Sequence, residues 1–123
     1  VTGVQTCALP ISLRGPQECV GEMLTEFKKR RDYVIGRLKA MPGVKVQVPQ
    51  GAFYAYPNVS CAFKGGISNS LQFCEKLLSE ELVAVVPGEA FGTSSHVRIS
   101  YATSMKELER GLDRIQRFIA ARA

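Results

Sequence analysis

The sequence predicts an α+β domain of two layers, a small antiparallel-rich sheet with helices on one face, in the order αββαββα. Three observations carry this. Stretches with helical apolar spacing occupy the beginning, middle and end of the chain. Between them lie two pairs of short strand-like segments, bounded by proline and glycine. Within those segments apolar and polar residues alternate, which leaves one sheet face to be covered by helices and the other open. The length of 123 residues, with 46% hydrophobic and 22% charged, suits one modest domain around one core.

The first eleven residues, Val1 to Ile11, carry no charge and no clear period. They lack the basic start of a signal peptide. The stretch is similar to the conceptual translation of a common sequencing adapter. Residues 1–11 are therefore expected to be non-native, the gene to be truncated upstream, and the native domain to run from 12 to 123. This removes Cys7 from any cysteine argument.

Pro16 suits the first turn of a helix. From Gln17 to about Ala40, Val20, Met23, Leu24, Phe27, Val34, Leu38 and Met41 recur at helical spacing, and Pro42-Gly43 ends the run. Val44, Val46 and Val48 alternate with Lys45 and Gln47 as a half-buried strand. Pro49-Gln50-Gly51 turns the chain into a second, aromatic strand from Ala52 to Tyr56. Ser60 to Gly66 reads as loop. Ser68 or Asn69 can cap a helix carrying Leu71, Phe73, Cys74, Leu77 and Leu78. Leu82 to Val86 is a short valine-rich strand ended by Pro87-Gly88. His96 to Tyr101 is the fourth strand. Ser104 and Glu107 have capping-box spacing ahead of a helix with the stripe Leu108, Leu112, Ile115, Phe118 and Ile119.

In the fourth strand Val97, Ile99 and Tyr101 point one way, and His96, Arg98 and Ser100 the other. Arg98 is thus a mid-strand arginine on the face away from the apolar residues. Either it is solvated or paired on an open sheet face, or it anchors a carboxylate or phosphate. The guanidinium is planar, always charged and able to grip both oxygens of a carboxylate.

Composition excludes several classes. No apolar run is long enough to span a bilayer. The net charge of +5 is spread over helix surfaces apart from Lys28 to Arg31. Phe27, which adjoins that run, belongs to the apolar stripe, and no nearby aromatic is placed to stack on bases, so no nucleic-acid partner is expected. Cys7, Cys19, Cys61 and Cys74 lack C-x-x-C spacing, and with one histidine no metal site is expected. Scattered cysteines without a signal peptide suggest reduced thiols and a cytoplasmic location. Cys19 and Cys74 are expected in the core and Cys61 in a loop.

The blocks VAVVPGEAFG (83–92) and VRISYATS (97–104), with PQGAFYAYPNVS (49–60) upstream, resemble the C-terminal small domain of class I pyridoxal-phosphate aminotransferases. The bacterial aspartate and prephenate aminotransferase branch is the nearest likeness, and it runs in one register from about Leu13 to Phe118. The resemblance implies transfer of an amino group between an L-amino acid, aspartate-like, and a 2-oxo acid. It implies that Arg98 binds the substrate α-carboxylate and that Gly51 and Phe53 lie at the mouth of the substrate site. The alternative for Phe53 is a core residue. It also implies a homodimer and pyridoxal 5'-phosphate held by a large domain upstream. The seven lysines, Lys28, Lys29, Lys39, Lys45, Lys64, Lys76 and Lys106, do not occur in the family's cofactor-lysine context. No catalytic residue is therefore expected here, and the fragment alone is expected to be inactive. The competing reading is a freestanding α+β module that binds a small carboxylate through Arg98 without catalysis.

Overall fold

The computed structural model describes residues 11–122. The proposed non-native leader therefore lies outside the described residues, except for Ile11. Three long helices and three short strands follow in the order α1 (Glu18–Lys39), β1 (Tyr54–Ala55), α2 (Ser70–Glu81), β2 (Val86–Pro87), β3 (Val97–Ser100) and α3 (Met105–Ala120). Short 3₁₀ turns occupy Ser60–Ala62 and Gly88–Phe91. The sheet order is β1-β3-β2, and both pairs are antiparallel.

β3 is central because its two edges meet different parts of the chain. Tyr54 pairs with Ser100 and Ala55 with Ile99 on one side, Val86 with Arg98 and Pro87 with Val97 on the other. The β1 register continues to a bridge between Asn58 and His96. Between these points Pro57 accepts from the Val97 N–H at 3.1 Å. Having no N–H, it cannot return the bond, so the ladder is interrupted there.

Val97, Ile99, Tyr101 and Ala55 are buried with Leu38 and Met41 of the α1 end, Phe73 and Leu77 of α2, and Leu112 and Phe118 of α3. This is the helix-covered layer. Phe73 and Phe118 meet edge to face at 5.2 Å. All five apolar residues expected on α3 are buried. Asn69 rather than Ser68 caps α2, its Oδ1 accepting from the Gln72 N–H at 2.9 Å. At α3 the Ser104 hydroxyl accepts from Glu107 N–H at 3.3 Å, while the Glu107 carboxylate pairs with Arg110.

The structure corrects four expectations. The strand over Val44–Val48 is reduced to one bridge between Lys45 and Asn58, so the regular elements run αβαββα rather than αββαββα. Alternation reports which side chains face inward, and Val44 is indeed buried. A ladder needs a partner within reach, and residues 45–50 diverge from Tyr54 and Tyr56 around an open cleft of about 750 Å³. The strand expected over Leu82–Val86 begins only at Val86, because Leu82 takes the left-handed conformation (φ 55°) that ends α2. Cys19 is exposed rather than in the core, whereas Cys74 is buried. Finally, Val20, Met23 and Leu24 of the expected α1 stripe are 49%, 55% and 53% exposed. The stripe is real, but the layer reaches only its C-terminal half, Val34, Ile35 and Leu38.

Candidate functional site

The open face of the sheet carries Arg98. Inward packing of Val97 and Ile99 turns it outward, and the neighbouring strand supplies Tyr54 beside it. The guanidinium lies 4.5 Å from the centre of the Tyr54 ring and 4.8 Å from that of Phe91, so aromatic rings border it twice. Such contacts contribute about 0.5–2 kcal/mol each and restrict a long side chain.

Arg98 also lacks a polar partner. Arg31, Arg37, Arg110, Arg117 and Arg122 each pair with a carboxylate. Among the described residues none does so for Arg98 or Arg30, and the Nε of each is buried without a hydrogen-bond acceptor, but only Arg98 lies between two aromatic rings on the sheet. An unpaired buried donor costs roughly 1–3 kcal/mol. A bound carboxylate would relieve that cost with charge-assisted bonds. The arrangement is thus suited to receiving an anion.

Tyr56 continues the aromatic row. It stacks on His96 at 5.0 Å with 15° between planes. The open cleft beside it is lined by residues 45–50, Tyr54, Tyr56, Asn58 and His96. Arg98 is not among the lining residues, so this cleft shares Tyr54 with the surroundings of Arg98 and does not contain Arg98 itself.

The other candidate residues, Phe53 and Gly51, line a separate cleft with Phe27 and Tyr101 that does not include Arg98. Phe53 is 38% exposed and stacks on Phe27 at 5.8 Å, and its ring centre lies 4.6 Å from that of Tyr54. It is joined to the Arg98 site through Tyr54 and does not belong to the buried core. Gly51 is exposed, and open space surrounds it. Tyr54 and Phe91 are the residues that sequence reasoning missed. Tyr54 required the β1–β3 register. Phe91 left one signal, a large apolar residue in an otherwise small and polar loop.

No described lysine occupies a dry site. Lys28, Lys29, Lys39, Lys45, Lys64 and Lys106 are exposed, and the half-buried Lys76 donates to the Gly65 carbonyl at 2.6 Å. Among the described residues no cluster of His, Cys, Asp and Glu could hold a metal ion. No described helix is long and apolar enough to cross a membrane.

A family model described as "Aminotransferase class I and II" matches residues 3–115. The chain belongs to this aminotransferase family. An aspartate aminotransferase of Geobacillus stearothermophilus is 41% identical over 123 residues, covering 99% of this chain and 31% of the relative. One from Bacillus sp. (strain YM-2) is 47% identical over 106 residues, or 85% and 27%. The crystal structure of the aspartate aminotransferase from Rhizobium meliloti superposes with a TM-score of 0.84 at 40% identity, covering 89% of this chain and 29% of that one. The chain therefore spans about 27–31% of the length of these relatives. This member of the family thus carries, on its open sheet face, an arginine with no carboxylate partner among the described residues.

Proposed function

We propose that this chain is the C-terminal small domain of a pyridoxal-phosphate-dependent aminotransferase and supplies its substrate α-carboxylate clamp. The observation that carries the reading is Arg98, bordered by Tyr54 and Phe91 with no carboxylate of its own. The intact enzyme transfers an amino group between an aspartate-like L-amino acid and a 2-oxo acid. Its curated relatives are named aspartate aminotransferases, which supports this substrate class.

Arg98 binds and orients. A bidentate grip on the carboxylate limits rotation of the amino acid and holds its Cα in one place. Phe53 and Gly51 form the mouth of the substrate site, which Phe53 joins to Arg98 through Tyr54. Pyridoxal phosphate supplies the electron sink for the reaction. The described residues do not fit a site for it, so its lysine and phosphate donors belong to polypeptide outside this sequence, and the chain alone is inactive. The intact protein is a cytoplasmic homodimer.

The decisive experiment is Arg98→Lys in the intact enzyme. A point charge replaces a planar fork, and kcat/KM for the amino acid should fall by about 100-fold or more. An unchanged kcat/KM overturns the assignment. Residues 1–11 we read as translated adapter, with a large domain encoded upstream of Ser12. Resequencing the gene from its source across the Ser12 codon tests this, and a start codon just before Leu13 would refute it.

A further inference from the structure

The loop between β2 and β3 is fastened on two sides. On the α2 side, the Ser70 hydroxyl donates to Glu89 Oε2, and the Leu71 N–H donates to Oε1 at 3.3 Å. Ser70 is fully buried, and its oxygen also accepts from the Gly88 N–H at 2.8 Å. Hence one hydroxyl ties Glu89, the start of the loop and the first turn of α2 together. On the sheet side, the Tyr56 and Thr93 hydroxyls share a hydrogen bond of 2.7 Å. The loop is also tightly closed at Gly88, where an added Cβ would lie 2.6 Å from the Thr93 carbonyl oxygen.

Between these fastenings, Phe91 projects to Arg98. Its ring is 4.8 Å from the guanidinium and meets Tyr56 edge-on at 6.0 Å. Phe91 is nevertheless 48% exposed. Leaving a large ring half in water is unfavourable, and little core packing compensates for it. Its position makes sense as a wall for Arg98. A carboxylate at a helix N-terminus is well placed, since the unpaired N–H groups and the helix dipole favour negative charge there. The Ser70 hydrogen bond accordingly holds the Glu89 carboxyl below its ordinary range.

We infer that Glu89 is a positioning residue for the carboxylate clamp: it fastens the loop to α2 and so holds Phe91 against Arg98. The inference rests on the reading of Arg98 as that clamp. An arginine side chain has many rotamers, and a wall fixed in place reduces those it visits before substrate arrives. The competing role is a helix cap that affects stability alone.

A double-mutant cycle in the intact holoenzyme separates the two, with kcat and KM for the amino acid as readouts. Glu89→Ala should lower kcat/KM about tenfold, chiefly by raising KM. Glu89→Gln should recover part of the loss, because its one amide oxygen can still accept from the Ser70 hydroxyl while the Leu71 N–H loses its acceptor. In an Arg98→Lys background, Glu89→Ala should change kcat/KM by less than about twofold, since the fork it serves is gone. An equal fold-loss in both backgrounds overturns the inference and leaves the clamp reading intact. An unchanged kcat/KM in Arg98→Lys overturns both. Should Glu89→Ala fail to fold, Phe91→Leu takes its place in the same cycle. That exposed ring can be trimmed without opening the core, and the same two outcomes decide.

Discussion

Residue by residue, what distinguishes this chain is how it treats groups that cannot find a partner. Arg98, whose Nε has no acceptor among the described residues, lies against aromatic rings. Tyr101 is buried but sends its hydroxyl to the Ala52 carbonyl at 3.1 Å. Cys74 has no such outlet. Burial pushes its thiol up to about 11, with the nearby Glu89 and Glu75 charges adding to the effect. The sign follows from linkage. Folding raises this pKa, so the neutral thiol's contribution is complete below the unfolded value of about 8.5–9 and is lost as pH rises through about 11. Stability measured from pH 8 to pH 11 should therefore fall less steeply in Cys74→Ala than in the native chain. Parallel curves would show that Cys74 does not titrate in this window.

Among the elements, α2 depends on its two ends. Asn69 satisfies the Gln72 N–H, and Leu82 closes the other end in a left-handed conformation. Asn69→Ala should cost about 1 kcal/mol of stability, read as a lower denaturation midpoint at unchanged m-value. No change in midpoint would mean that water replaces the cap at no cost. The strands are so short that their length says little about their importance. β3 matters because both its neighbours pair with it, placing Tyr54 on one side of Arg98 and the Gly88–Phe91 turn on the other.

At the scale of the whole molecule, the core is well filled around α3, but the first half of α1 extends beyond it. Val20, Met23 and Leu24 stand exposed close in sequence to Phe27, which stacks on Phe53. Salt bridges such as Arg37–Asp113 at 2.6 Å link the helices, yet exposed pairs contribute only about 0–1 kcal/mol. The isolated 123-residue chain should therefore bind an apolar-surface dye and melt broadly. A sharp, cooperative melt of a monomer without dye binding would instead favour the freestanding module.

The residues alone determined the three helices, the outward turn of Arg98 and the break at Pro87-Gly88. These follow from local rules: spacing of apolar residues, capping chemistry and the two-residue period of a strand. The resemblance to the family then marked Arg98 as the candidate carboxylate anchor. Tertiary structure decided what lies beside it. Valine alternation over 44–48 was visible, but whether it formed a ladder depended on a backbone partner that moved out of reach. The exposure of Cys19 and of the α1 stripe depended on how far the second layer extends. Tyr54 and Phe91 are separated from Arg98 by 44 and 7 positions and meet it only through sheet register and a fastened loop. Side-chain period is a property of one segment, whereas pairing and burial are properties of two, and a single sequence encodes the second only through the folded chain.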